Sequence, residues 1–178
     1  MVDEIILEEE AIVEEREMEA GWLGEAILER SIRSLPGLQS PIHLPADASV
    51  RAAINTMNDA RIGCVMIVRG GCLVGIFTER DVLTRAAGAP IDLDATPVAD
   101  LMTPNPECLT LDDGIAYALN KMSVGGFRHV PLVDADGRPT GLVSMRHIVD
   151  YLVDLFPRAV LNLPPSPALG MPREREGA

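Results

Sequence analysis

Apolar and polar positions along this chain follow one pattern, and the pattern occurs twice. From Ala48 to Leu83 a helical run with Val50, Ala53, Ile54 and Met57 on one face leads into an apolar stretch near Cys64–Val68, then a Gly-containing turn and a second stretch over Leu73–Phe77. Gly75-Ile76-Phe77-Thr78-Glu79-Arg80-Asp81 closes this copy and opens a helix that runs to about Ala87. From Asp113 to Val149 the order repeats: a helix over Gly114–Met122, strands near His129–Asp134 and Thr140–Val143, and Gly141-Leu142-Val143-Ser144-Met145-Arg146-His147 opening a helix to about Leu155. Met57 pairs with Met122, Val65–Val68 with Val130–Val133, and Thr78 with Ser144. A tandem duplication of about 65 residues predicts two α+β units, each strand-helix-strand-strand-helix, packed about a pseudo-two-fold axis with clefts between them.

Punctuation fills in the rest. An extended piece at Ile42–Leu44 precedes the first helix, and Arg69-Gly70-Gly71 and Asp134-Ala135-Asp136-Gly137 are hairpin turns. The Gly-Gly pair matches no phosphate-loop spacing. Val98–Met102 reads as one short helical turn, and residues 3–33 as an amphipathic helix ended by Pro36-Gly37. The division is an acidic helical extension at 1–35, a first repeat at 36–90, a second at 91–156, and a Pro-rich disordered tail at 157–178.

Composition narrows the functions. The 178 residues are 47% apolar but only 3% aromatic, so aliphatic side chains and methionine must fill the cores. The net charge is −12, of which residues 1–35 hold −8 through eleven acids against three bases. That balance, with scattered Lys and Arg, argues against nucleic acid. No apolar run reaches the length of a membrane span, and Cys64, Cys72 and Cys108 form no CxxC pair, so a cytoplasmic location without a disulfide framework is expected. His43, His129 and His147 show no HExxH spacing, and no Ser or Cys sits in a nucleophile motif; no enzyme and no metal site is expected.

Thr78 and Asp81 have two readings. Thr at the N-cap and an acid three residues on form a capping box, which merely starts a helix. The recurrence of Gly-hydrophobic-x-hydroxyl in the second copy, beside an inter-repeat cleft and with Arg80 adjacent, favours a nucleotide grip: a carboxylate accepts both hydroxyls of a ribose while the Thr hydroxyl and Arg80 face phosphate.

Together with Phe127-Arg128-His129-Val130-Pro131-Leu132-Val133-Asp134, the two Gly-h-x-[Thr/Ser] segments and the element order resemble a tandem pair of cystathionine β-synthase (CBS) domains, a Bateman module, over residues 38–156. The resemblance implies a non-enzymatic regulatory module that binds an adenosine-containing ligand, AMP, ADP, ATP or S-adenosylmethionine, between its repeats and signals occupancy to a partner. It places phosphate and ribose at Thr78 and Asp81. The adenine falls against Thr103, Asn105, Pro106 and Cys108 and near Phe127, with Arg128 and His129 reaching phosphates. The mirror site would use Ser144, Ile42, Ile62 and Cys64. There the signature acid is replaced by His147, and a neutral imidazole offers a single acceptor to a diol; one complete and one altered site are expected.

The resemblance also implies a disc-like homodimer. Ala116, Leu119, Met122, Ile148, Val149 and Leu152 are apolar helix positions that one pair would not cover. An interaction or scaffold module with vestigial nucleotide sites is the alternative. The acidic helix, with Trp22 among its apolar positions, is expected to pack on the dimer or on a partner.

Overall fold

The computed structural model describes residues 30–38 and 40–155. Both repeats are built on a β-hairpin with helices packed against it. In the first, β1 (His43–Pro45) runs parallel to β2 (Cys64–Arg69), which pairs antiparallel with β3 (Cys72–Thr78). A short β4 (Thr103–Pro104) adds to the free side of β3 and completes a four-stranded sheet in the order β1-β2-β3-β4. Gly70 and Gly71 form the hairpin turn with φ of 60° and 83°, the paired positive angles that a two-residue turn between twisted strands requires. In the second repeat β5 (His129–Val133) pairs with β6 (Pro139–Ser144), and an isolated parallel bridge from Leu109 to Leu132 stands where β1 stands in the first.

The duplication extends to irregularities. β2 shifts register between Ile67 and Val68, and β5 shifts between Leu132 and Val133, the equivalent positions. α1 (Val50–Ala60) starts at Ser49, whose hydroxyl accepts from the Ala52 amide at 3.1 Å, and ends with Arg61 in the left-handed region. Its counterpart α3 (Ile115–Gly125) ends on Gly126, φ 66°. α2 (Glu79–Asp81) follows β3 and runs into a π-helical turn over Val82–Ala86, whereas α4 (Met145–Leu155) follows β6 as one regular helix. None of these helices is long and apolar enough to cross a membrane.

Each repeat has its own core. Val50, Ala53, Met57, Val65, Ile67 and Phe77 are buried in the first; Ile115, Ala118, Met122, Val130, Leu132, Val143, Ile148 and Tyr151 in the second. The turns that precede the repeats are exchanged between these cores. A 3₁₀ turn at Ile32–Ser34 inserts Ile32 and Leu35 into the second core, with the Ile32 amide donating to Asp113 O at 2.8 Å. Its equivalent at Val98–Asp100 inserts Val98 into the first core, with the Val98 amide donating to Ala48 O at 2.7 Å. Matching bridges, Ser31 to Gly114 and Pro97 to Ser49, complete the exchange. The two cores therefore share arms, and neither is closed by its own contiguous segment.

This exchange corrects one expectation: residues 31–34 do not continue an amphipathic helix but form a bridge and a 3₁₀ turn, because Ile32 is drawn into the second core. The remainder of that helix, with Trp22, and the Pro-rich tail lie outside the described residues. A second correction concerns the apolar helix faces. Met122 and Ile148 are covered by their own repeat, and the large apolar residues left exposed are Leu83, Tyr117, Val124 and Val149.

Candidate functional site

Where the repeats meet, a cleft of ≈ 460 Å³ opens between the start of α2, the β4 segment and the entry to β5. Its walls include Thr78, Arg80 and Asp81 from the first repeat, Thr103, Asn105 and Pro106 from the connector, and Phe127, Arg128 and His129 from the second. These nine positions, scattered over 52 residues of sequence, are the ones the repeat pattern and the family resemblance singled out.

The local chemistry begins with the capping box, which is formed. Asp81 Oδ2 accepts from the Thr78 amide at 2.9 Å and from the Thr78 hydroxyl at 2.7 Å, while the Asp81 amide donates to Thr78 Oγ1 at 3.3 Å. Oδ1 has looser partners: the Thr103 hydroxyl at 3.4 Å and Arg85 Nη1 at 3.3 Å. Asp81 is the only buried charged side chain among the described residues. The capping reading of Thr78 and Asp81 is thus realised through Oδ2, while Oδ1 makes only the two longer contacts. Arg85 is itself held by the Leu101 and Met102 carbonyls at 2.8 and 2.7 Å, so it stays near Asp81 whatever Oδ1 binds. The π-helical turn places Arg85 at this position, and such turns recur at functional sites.

Both sides of the cleft contribute cations. Arg80 reaches across to the Gly126 carbonyl at 3.4 Å, and Arg128 is exposed beside it. His129 is half-buried. Burial holds its imidazole below the usual pKa, Arg128 and His147 push the same way, and Glu79 opposes them. Glu107 lines the rim and is paired with Lys121, whose ammonium also lies 5.4 Å from the Tyr117 ring centre. The cleft therefore combines an aromatic face at Phe127, two arginines that no carboxylate among the described residues engages, and one buried acceptor.

The mirror cleft is built from equivalent elements with different contents. It measures ≈ 40 Å³ and is lined by Ser40, Ile42, Ile62, Cys64, Met66, Leu142 and His147. His147 takes over the capping role: its Nδ1 accepts the Ser144 amide at 3.2 Å, and the His147 amide donates to Ser144 Oγ at 3.3 Å. Burial lowers its pKa, with Arg146 contributing and Asp150 opposing. The Cys64 thiol is pushed up to about 12, mainly by burial, so it behaves as a core side chain.

Two residues expected at these sites are placed elsewhere. Ser144 does not line the small cleft, because its hydroxyl is turned back to cap α4. Cys108 does not line the large one; its thiol donates to the Pro106 carbonyl at 3.1 Å. Glu107, within the Thr103–Cys108 segment expected against the base, lines the large cleft, and Gly63, Ile76, Glu79, Thr84, Arg85 and Gly126 line it without having been anticipated. For Arg85 a signal existed, since it stands four residues after Asp81 on the same helical turn. Gly126 carried none, as only the docking of the repeats brings it to the rim.

The CBS domain family matches residues 37–88 and again 98–154. The chain belongs to that family. A CBS domain-containing protein of Arabidopsis thaliana is 35% identical over 111 residues, 62% of this chain and 20% of the relative. The chain spans about a fifth to a quarter of the length of the Arabidopsis relatives it matches. Among solved structures, a CBS-domain protein from Agrobacterium tumefaciens superposes with a TM-score of 0.61 at 28% identity, covering 68% of this chain and 98% of that one. A CBS domain protein from Pyrobaculum aerophilum, complexed with AMP, gives 0.63 at 25% identity, covering 72% and 99%.

Proposed function

We propose that this CBS pair is a regulatory sensor that binds one adenosine-containing nucleotide per chain, in the larger inter-repeat cleft, and relays its occupancy to a partner protein. The observation that carries the reading is the joint lining of that one cleft by Asp81, Phe127, Arg80 and Arg128. Asp81 Oδ1 supplies the acceptor for the ribose diol, exchanging the long Thr103 contact for shorter bonds. Phe127 offers a face for the base, and Arg80, released from its long contact to the Gly126 carbonyl, and Arg128 donate to phosphate. A volume of ≈ 460 Å³ lies in the range of small-molecule sites. The AMP complex of the Pyrobaculum relative supports the ligand class.

Calorimetric titration with AMP, ADP, ATP, S-adenosylmethionine and adenosine tests the assignment. One tight site per chain is expected for at least one phosphorylated member. Asp81→Asn, which keeps the side-chain volume while removing the charge, should weaken binding about tenfold or more, because hydrogen bonds to a charged acceptor are worth about 1.5–3 kcal/mol. Unchanged affinity would place the ribose elsewhere.

A further inference from the structure

We propose that the large cleft takes up a proton together with its phosphate-bearing ligand, and that His129 is the residue that receives it. The inference rests on the nucleotide reading and adds a mode of regulation to it. His129 is the first residue of β5 and stands opposite Ser144 in the hairpin register, so its backbone is fixed while its ring reaches the cleft wall. The ring enters a space left by Gly63: a Cβ there would stand 3.3 Å from His129 Cε1 and 3.4 Å from the Glu79 carboxylate. The imidazole and that carboxylate are thus gathered at one point of the wall.

The charged groups around His129 come from four elements. Arg128 immediately precedes β5, His147 acts on it from the start of α4, and Glu79 stands at the start of α2. Arg80, also on α2, lies on the same cleft wall, and Cys64 on β2 is kept neutral by burial. In the free protein two of these neighbours and burial disfavour the imidazolium, while Glu79 alone favours it. A bound phosphate carries about −1.5 to −2 charges and adds an anion on the cleft side, where the free protein presents Arg80 and Arg128. The balance at His129 then reverses: imidazolium becomes the better partner for phosphate, its N–H donating to a phosphate oxygen, and the proton comes from solvent. By linkage, binding strengthens as pH falls from neutrality toward the pKa of the free imidazole. Adenosine, which has no phosphate, lacks the coupling.

The test is calorimetry of the full chain with AMP and with adenosine, at pH near 6.5, in buffers of different ionisation enthalpy, which counts the protons exchanged on binding. His129→Gln keeps a hydrogen-bond donor but cannot titrate, so it reports the protons exchanged by the phosphate itself. The wild type should take up more protons per AMP than His129→Gln, and its affinity advantage over that variant should grow by up to about tenfold per unit of pKa shift as pH falls. In the intact wild type, the His129 Hε1 resonance should titrate at higher pH with AMP than with adenosine or without ligand; this reading does not depend on any variant folding. Tight AMP binding with equal proton uptake in both proteins and an unmoved His129 titration overturns the coupling and leaves the nucleotide site standing. No binding of AMP by the wild type overturns both.

Discussion

The two clefts of this molecule descend from one duplicated sequence, share strand register down to a common bulge, and yet differ tenfold in size, ≈ 460 against ≈ 40 Å³. Where the larger has Phe127-Arg128-His129 at the mouth of β5, the smaller has Ile62-Gly63-Cys64 at the mouth of β2. Where the larger has Asp81 in its capping box, the smaller has His147. Arg146 stands in the place of Arg80 but turns outward to Asp150 at 3.5 Å. Each exchange removes a charge from the cleft or an acceptor for a diol. A helix cap needs only one lone pair facing the first turn, which Asp81 and His147 both supply, whereas a ribose and its phosphate need the spare acceptor and the cations. Structural duty therefore survives on both sides, and the cations and the spare carboxylate oxygen are concentrated on one.

The sharpest way to break this comparison is to delete the two caps separately. Asp81→Ala leaves the Thr78 amide, the Thr103 hydroxyl and Arg85 without their acceptor in a buried setting and should destabilise by about 2–3 kcal/mol. His147→Ala removes one neutral cap bond and should cost about 0.5–1 kcal/mol. Urea midpoints measure both, and equal losses would show that the buried carboxylate has no additional structural role.

A gentler challenge restores the acid. His147→Asp returns the signature residue to the small cleft, but Cys64, Met66, Ile62 and Leu142 still fill it, and ≈ 40 Å³ is about a tenth of what a nucleoside site occupies. The nucleotide stoichiometry should stay at one per chain. Two equal sites by calorimetry would show that the acid alone, and not the volume, silences the second cleft.

The smallest effect is on pH dependence. His129 and His147 are both held below the usual histidine pKa, chiefly by burial, so the unfolded chain binds their protons first as pH falls. Their contribution is complete above about 6.5 and is lost as pH drops toward the folded-state values. The urea midpoint should decline from pH about 7 to about 5.5, and His147→Gln should flatten part of that decline, since glutamine does not titrate. A decline of the same size in His147→Gln would assign it to other groups.

The sequence by itself determined a great deal here, because a duplication tests every local signal twice. Helical periodicity at Val50, Ala53 and Met57 reappears at Ile115, Ala118 and Met122, and in both copies those residues are buried. The turn glycines, the capping motifs and the odd residue His147 were equally legible, since each depends on contacts within a few positions. Of the nine residues of the large cleft named in advance, Thr78, Arg80 and Asp81 came from the local motif at the start of a helix, and the other six only from what the family resemblance implies. The tertiary structure alone decided what depends on distant partners. No periodicity showed that Ile32 would leave its helical run to close the second core while Val98 closed the first, as both are gains of burial against residues dozens of positions away. Nor could local pattern reveal that the Asp81 carboxylate would split its two oxygens between a cap and a cleft, or that Gly126 would stand at the rim. Those placements depend on how the two repeats dock, and the difference between an open and a filled cleft depends on which side chains the docking brings to each.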